Sequence, residues 1–377
     1  MGNYLNPGNE KFRRMIQSEI YVDKTGMIKY TNSVLDTAQN YVCVSRPRRF
    51  GKSMAANMLT AYYSRGCNSK ELFGKFEIAK DKDFEKYLNQ YNTIFLNMQE
   101  FLSRSHNVEE LIDRVKKLVI RDLKMEYPEV DYFDDTDLIE CMQDIYAQMQ
   151  YPFVVIIDEW DCIFREYKQD KEAQEKYLDF LRDLLKDKAC IYLSYMTGIL
   201  PIKKYGTHSA LNMFDEFSMI APGPLACYVG FTEQEVKDLC KEQQIDFEQA
   251  KKWYDGYHFG DYDIYCPWDV MNFVRDFQFD ATVKPASYWK NTSDNAIIRS
   301  FIDYAGSSIT RKLEILMSGG YITQKIEENL TYDYLHASED NLWSILYLTG
   351  YLTQVREQDI GEKIPEGLAA LAIPNAE

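Results

Sequence analysis

A chain of 377 residues has room for about two or three domains, and 46% hydrophobic with 27% charged residues excludes disordered, collagen-like and disulfide-scaffold classes. Its 43 Lys and Arg against 59 Asp and Glu leave a formal charge of −16. That is the wrong sign for coating nucleic acid or anionic membrane, so any phosphate site has to be a local exception.

The eight cysteines include no CxxC pair and no histidine at ligand spacing, so they read as reduced core thiols and not as a zinc knuckle or a disulfide ladder. The four histidines, His106, His208, His258 and His336, have no partner at metal or triad spacing. The start shows no charged and then apolar leader, and no run approaches about 18 apolar residues. The expectation is a cytoplasmic protein with no membrane partner.

In chain order, short continuous apolar runs bounded by turn residues occur at 41–45, 93–98, 153–158 and 189–196, the pattern of buried parallel strands. Between them apolar residues recur at helical steps: Val108, Leu111, Ile112, Val115 and Leu118, then Leu138, Met142 and Ile145, then Leu178, Leu181 and Leu185. Alternating strand and helix predict an α/β fold with a parallel sheet. After Ile220 the Ala-Pro-Gly-Pro run at 221–224 marks a boundary, and mainly helical segments follow. Thr232 and Glu235 form a capping box with Phe231 and Val236 as staple, so a helix starts at Glu233. Further helices are expected after Asp246, from Pro267, and up to Gly319. The run 341–348 is a further helix, followed by strand-like runs at 351–356 and 367–373, which suggests a winged-helix unit. The expected domains are therefore an N-terminal segment 1–30 near the nucleotide site, a P-loop domain 31–220, a helical domain 221–320 and a winged-helix-like end 321–377.

Chemistry concentrates after the first strand, in Arg46-Pro47-Arg48-Arg49-Phe50-Gly51-Lys52-Ser53, with a helix from Met54 onward. Strand, loop and helix are the setting of a P-loop: Gly51 admits the phosphates to the backbone, Lys52 reaches the β/γ oxygens and Ser53 can ligate Mg²⁺. Arg46 stands where GxxxxGK[ST] has its first glycine, yet Arg46, Arg48, Arg49 and Lys52 make the segment locally cationic. The strand 153–158 ends in Asp158-Glu159, the Walker B arrangement, with Asp158 for the Mg²⁺ shell and Glu159 to orient or deprotonate the attacking water.

The segments 21–25 (YVDKT), 46–53, 157–161 (IDEWD), 197–200 (TGIL), 253–257 (WYDGY) and 340–343 (DNLW), in this order, resemble the prokaryotic AAA-ATPase-like family over nearly the whole chain. That family is similar to the archaeal and STAND-type P-loop ATPases. The resemblance implies a AAA-like P-loop NTPase sheet, ATP and Mg²⁺ as ligands, and Mg-dependent hydrolysis serving an unknown partner, with Arg46 as the usual residue at its position. It implies a sensor role for Thr197 at the tip of the fourth strand, for which an ordinary strand exit is the alternative. It also places Tyr21 and Asp23 near the adenine, for which N-terminal packing is the alternative. Lys203 and Lys204 are read as a γ-phosphate cation or a solvated loop, and 253–257 as a recognition surface or core. A protein partner or a fused PD-(D/E)xK nuclease-like domain is implied, although no Asp followed by Glu-x-Lys in a strand setting occurs here. Three functions stand side by side: an ATPase switch or motor, a non-hydrolysing nucleotide scaffold, and a nucleic-acid module using the winged helix. The three basic and ten acidic residues of 322–377 disfavour the last, so no strong DNA binding by this chain alone is expected.

Overall fold

A computed structural model describes residues 2–202, 211–289, 306–327 and 338–376, so Lys203, Lys204, His208 and His336 lie outside the described residues. The chain divides into two compact units, Met1–Ser45 with Lys52–Phe217, and Arg46–Gly51 with Ser218–Glu377.

In the first unit, β1 (Tyr41–Ser45), β2 (Asn92–Asn97), β3 (Phe153–Asp158), β4 (Ile191–Gly198) and β5 (Asp215–Phe217) form a parallel sheet in the order β2-β3-β4-β1-β5. Every residue of β3 is buried, which is why its sequence is continuously apolar and does not alternate. Helices Lys52–Tyr63, Val108–Glu126, Leu138–Met149 and Lys171–Leu185 follow strands or one another, and bury the residues at three- and four-residue steps, such as Leu111, Val115 and Leu123. Side-chain caps start three of them: Asn107 accepts from Glu110 N, Asp137 from Ile139 N and Glu140 N, and Asp170 from Ala173 N. The α/β fold with a parallel sheet expected from the alternating pattern is present.

Strand β4 sits two residues later than the apolar run 189–196 suggests. Cys190 spends its carbonyl on Phe153 N, and the β3–β4 register shifts at Phe153/Val154, so the ladder proper starts at Ile191 and carries Thr197 and Gly198. The N-terminal segment runs beside β2: Asn6 N donates to Thr93 O at 2.7 Å and Phe95 N to Tyr4 O at 2.9 Å, closing that edge of the sheet.

In the second unit the capping box forms as read, with Thr232 accepting from Glu235 N and Glu235 from Thr232 N ahead of helix Glu233–Gln243. Helices Phe247–Tyr254 and Pro267–Phe279 follow. The region is less purely helical than its sequence suggests. Strands β6 (Phe231–Thr232), β7 (Tyr257–Phe259) and β8 (Tyr262–Tyr265) make an antiparallel sheet in the order β6-β8-β7. Toward the C-terminus, β9 (Ile322–Gln324), β10 (Thr353–Gln354) and β11 (Ala369–Ala372) make a second antiparallel sheet, ordered β10-β11-β9, with helices Ser307–Met317 and Glu339–Leu348 in the same stretch of chain. The runs 351–356 and 367–373 do pair, Thr353 with Ala372 and Gln354 with Leu371. The ladder is shorter than the runs.

Candidate nucleotide site

The C-terminal ends of parallel strands are where an open α/β sheet presents its ligand residues. Gly51 has φ +93°, a conformation that strains an L side chain, and a Cβ built there meets nothing within 4 Å. Helix Lys52–Tyr63 starts at the next residue, with Ser53 exposed and Met54 45% exposed. The first amides of this 12-residue helix are thus at the surface, where an anion can reach them. Lys52, by contrast, is 4% exposed. Burial pushes its ammonium below the ordinary lysine value, while Glu159, Asp161 and Asp158 pull it back up and Arg165 adds to the lowering.

Asp158 ends β3 and is 1% exposed, with both carboxylate oxygens engaged. Thr197 Oγ1 donates to Oδ1 at 2.6 Å, and Asn97 Nδ2, from the tip of β2 in register with Asp158, donates to Oδ2 at 3.2 Å. Two donors fix the orientation of the carboxylate. The structure therefore brings Lys52, Asp158, Glu159 and Thr197 together, and it uses Thr197 to hold Asp158.

Glu159 follows the strand with φ 56°, the left-handed region that a non-glycine residue occupies at a cost. Its Oε2 accepts from Arg165 Nη2 in an ion pair; Arg165 is 11% and Glu159 23% exposed. Arg165 Nε lies 3.8 Å from Asp161 Oδ1, and Arg165 Nη2 donates to Gln99 Oε1 at 3.4 Å. Asp161, fully buried, accepts from Ile199 N at 3.0 Å and Leu200 N at 3.1 Å through Oδ2, tying the chain after β4 to the acidic segment. Burial raises the Asp161 carboxyl above its ordinary value, against the opposing pull of Arg165. Gly198 is required by packing, because a Cβ there would run into the buried indole of Trp160.

A model of the predicted AAA-ATPase family matches residues 7–207, more than half of the chain. The chain belongs to that family. The chain is 22% identical over 348 residues to the Azotobacter chroococcum mcd 1 protein described as an uncharacterized protein in the vnfD 5' region, covering 90% of this chain and 62% of that protein's length. Among solved structures, the Aeropyrum pernix ORC1 protein in complex with DNA aligns over 94% of this chain and 90% of its own, with 10% identity and a TM-score of 0.36. Cdc6p from Pyrobaculum aerophilum aligns over 93% and 89%, with 10% identity and a TM-score of 0.27. Likenesses this distant carry no argument about function.

The cationic part of the loop, Arg46–Gly51, belongs to the second unit. Phe50 is 1% exposed, edge-on to Tyr257 with ring centroids 5.0 Å apart and 5.8 Å from Phe259. The Arg46 guanidinium, fully buried, lies 4.7 Å over the Phe259 ring, and that of Arg49 lies 4.8 Å over Trp268. Cys266 Sγ donates to Arg49 O at 3.8 Å, and Pro47 packs so close to Gly350 that a Cβ there would come within 2.8 Å of the proline ring. Arg48 is half-buried. Of the 253–257 run, Tyr254 and Tyr257 are core.

Tyr21 and Asp23 are held in packing contacts of the N-terminal segment. The Tyr21 ring lies 5.2 Å from Phe76 and 6.1 Å from Phe12. Asp23 accepts from Thr25 N and from Glu77 N, both at 2.8 Å. Sequence reasoning missed Asn97, Asp161 and Arg165. A signal existed for two of them, since Asp161 and Arg165 stand four residues apart, the spacing of an ion pair along a helix. For Asn97 the signal was weaker, a polar residue closing an apolar strand and capping the helix Met98–Leu102.

Proposed function

We propose that this protein binds ATP with Mg²⁺ at the 46–53 loop and hydrolyses it as a switch or motor for a protein partner. The observation that carries the reading is the convergence of buried Lys52, doubly held Asp158 and Glu159 beside an exposed helix N-terminus. The residues fit the ligand: exposed amides for phosphate oxygens, Lys52 for the β/γ oxygens, and Ser53 with Asp158 as the few hard oxygen donors that Mg²⁺ takes when phosphates and waters supply the rest. When bound, the metal neutralises charge on the transferring phosphoryl group.

Glu159 acts as general base. Its carboxylate accepts a proton from water as the water oxygen bonds to the γ-phosphorus and the bond to the β–γ bridging oxygen breaks, ADP leaving with the electron pair. Asp158 is held between Asn97 and Thr197, and Thr197 serves by orienting it. Arg46, Arg48 and Arg49 supply positive potential around the loop; Tyr21 and Asp23 act through N-terminal packing. Residues 322–377, with three basic and ten acidic residues, are not expected to bind duplex DNA strongly. A cytoplasmic location, a winged-helix fold for that end and coupling to a nuclease-like domain in a longer chain belong to the same proposal. Among the described residues, no helix is long and apolar enough to cross a membrane.

Isothermal titration and single-turnover hydrolysis test the reading. ATP with Mg²⁺ should bind the parent protein and not Lys52→Ala. Glu159→Gln should keep binding and lose at least about 100-fold in hydrolysis, the lower range for a positioned base. Equal binding by Lys52→Ala removes the loop as the site, and an unaltered rate in Glu159→Gln removes the base. The second reading, a scaffold that binds nucleotide without turnover, is favoured by one observation, the Glu159–Arg165 ion pair.

A further inference from the structure

We infer that Arg49 is the arginine of the loop that contacts the polyphosphate, and that Trp268 is the residue that positions it. The inference rests on the nucleotide-binding reading and deepens it by separating three arginines that the sequence presents as equals. Arg46 is fully buried over the Phe259 ring, so its charge faces the fold and reaches no ligand in solvent. Arg48 is half-buried, and among the described residues no hydrogen bond, ion pair or ring holds it, so a contact from it would cost the freedom of a long side chain. Arg49 is half-buried too, yet its guanidinium carbon lies 4.8 Å from the centre of the Trp268 ring, on a residue that is itself 41% exposed. A guanidinium over an aromatic face keeps its in-plane N–H donors for an oxygen anion, and a seat open to solvent lets one approach.

Both the loop backbone and the indole are fixed at this seat, within the second unit. The backbone of Arg49 has φ 72°, a left-handed conformation that glycine adopts freely and arginine only at a cost. An arginine stands where glycine would relieve the strain, which points to a use for its side chain. The indole is pinned from its own side: Trp268 Nε1 donates to Tyr288 O at 3.3 Å, and Tyr288 Oη donates at 2.9 Å to Asp276 Oδ2, on the helix Pro267–Phe279 that carries Trp268. Asn272 Nδ2 donates to Trp268 O at 2.7 Å, and Cys266 Sγ, one residue before that helix, donates to Arg49 O at 3.8 Å. The ring cannot turn away without breaking its bond to Tyr288, and the loop backbone is held at the same residue whose side chain sits on the ring. Arg49 therefore offers an anion a side chain that is already ordered, and the ordering cost that Arg48 would carry is reduced.

The test is ATP affinity, measured by isothermal titration on the full chain, with the melting temperature without nucleotide recorded beside it. Arg49→Ala and Arg49→Gly should both raise the dissociation constant about tenfold or more, the size of a lost hydrogen bond to a charged group. Arg49→Gly also relieves the backbone, so it should melt no lower than Arg49→Ala. Arg48→Ala should weaken binding less than Arg49→Ala does. Trp268→Leu, which removes the π face, should raise the constant roughly two- to fivefold, as for a cation–π contact open to solvent, and Trp268→Phe should recover part of that loss. In the Arg49→Ala background Trp268→Leu should have no further effect, because the indole acts through Arg49. Inorganic tripolyphosphate, which carries the anion without the base, should bind these proteins in the same rank order. An Arg49→Gly protein that binds ATP as tightly as the parent overturns the contact. A Trp268→Leu effect of equal size with and without Arg49 overturns the positioning role. In both cases binding that Lys52→Ala abolishes keeps the nucleotide reading, whereas a parent protein that binds no ATP removes that reading together with the inference.

Discussion

Arg46 is buried and Arg165 is 11% exposed, and the surroundings of these two arginines could hardly differ more. Arg165, in the first unit, sits among carboxylates: it pairs with Glu159 and flanks Asp161. Arg46, in the second, lies over the face of Phe259, close to Phe50 in the sequence and sharing that ring with it. A guanidinium on a carboxylate ties an acid down, whereas one on an aromatic face satisfies part of its charge without consuming an anion. The acidic region thus holds Glu159 in an ion pair, and the aromatic region anchors backbone. Substitutions in the first should change rates, and substitutions in the second should change stability.

The largest stability effect is expected where that anchoring is densest. Phe50→Ala removes a ring that is 1% exposed and packed on Tyr257 and Phe259, so it should destabilise the second unit by about 3–5 kcal/mol. Hydrogen exchange resolved by residue would show protection lost across Tyr257–Phe259 and Tyr262–Tyr265 while β3 and β4 keep theirs. Equal loss in both units would collapse the distinction between anchor and reactive region.

That distinction was half legible in the sequence. Strands β1 and β3 fall where their apolar runs are, because a strand buried on both faces admits little but Val, Ile and Phe. Asp158 and Glu159 were legible for the same reason, as the first polar residues after such a run. The hairpin β7–β8 was missed although Gly260-Asp261 between aromatic runs is a two-residue turn signal, since the neighbouring helical periodicity outweighed it. The edge strand β5 was missed because its residues Asp215, Glu216 and Phe217 carry no apolar run. The partners of the acids, Asn97 and Arg165, depend on which strand lies beside which and on a backbone turn at Glu159. No local pattern encodes those.

Gly198 offers a smaller and sharper contrast. Its Cβ would collide with the buried Trp160 indole and approach Asp161 Oδ1 at 3.1 Å, so Gly198→Ala should cost about 1–3 kcal/mol through overpacking. The strain falls on the segment that carries Asp161, so hydrolysis should change along with stability. Tryptophan fluorescence and turnover check it. A variant with the parent's melting curve and rate would show that Trp160 has room the structure does not display.

The smallest expected effect separates the units by their response to acid. Glu233, about one-fifth exposed, accepts from Lys237 and from Lys251 Nζ at 2.8 Å, and these bonds hold its carboxyl below the ordinary value. A carboxyl with a depressed folded pKa contributes stability that is present above the unfolded value of about 4.3 and is lost as pH falls through the folded one. Asp161 has the opposite sign: burial raises it, so it contributes stability that is present below the unfolded value and lost as pH rises through the folded one, and acidification restores it. Lowering the pH should therefore weaken the second unit through Glu233 while easing one burden on the first. Glu233→Gln should cost about half a kcal/mol or less near pH 6, as befits pairs open to solvent. The gap in urea midpoint between the two proteins should shrink as pH falls from the unfolded value of about 4.3 through the lower folded one, below which both carry a neutral side chain at 233. A gap that stays constant down to pH 3 would mean that the side chain at 233 acts through packing, and the charge contrast between the two regions would then rest on the first unit alone.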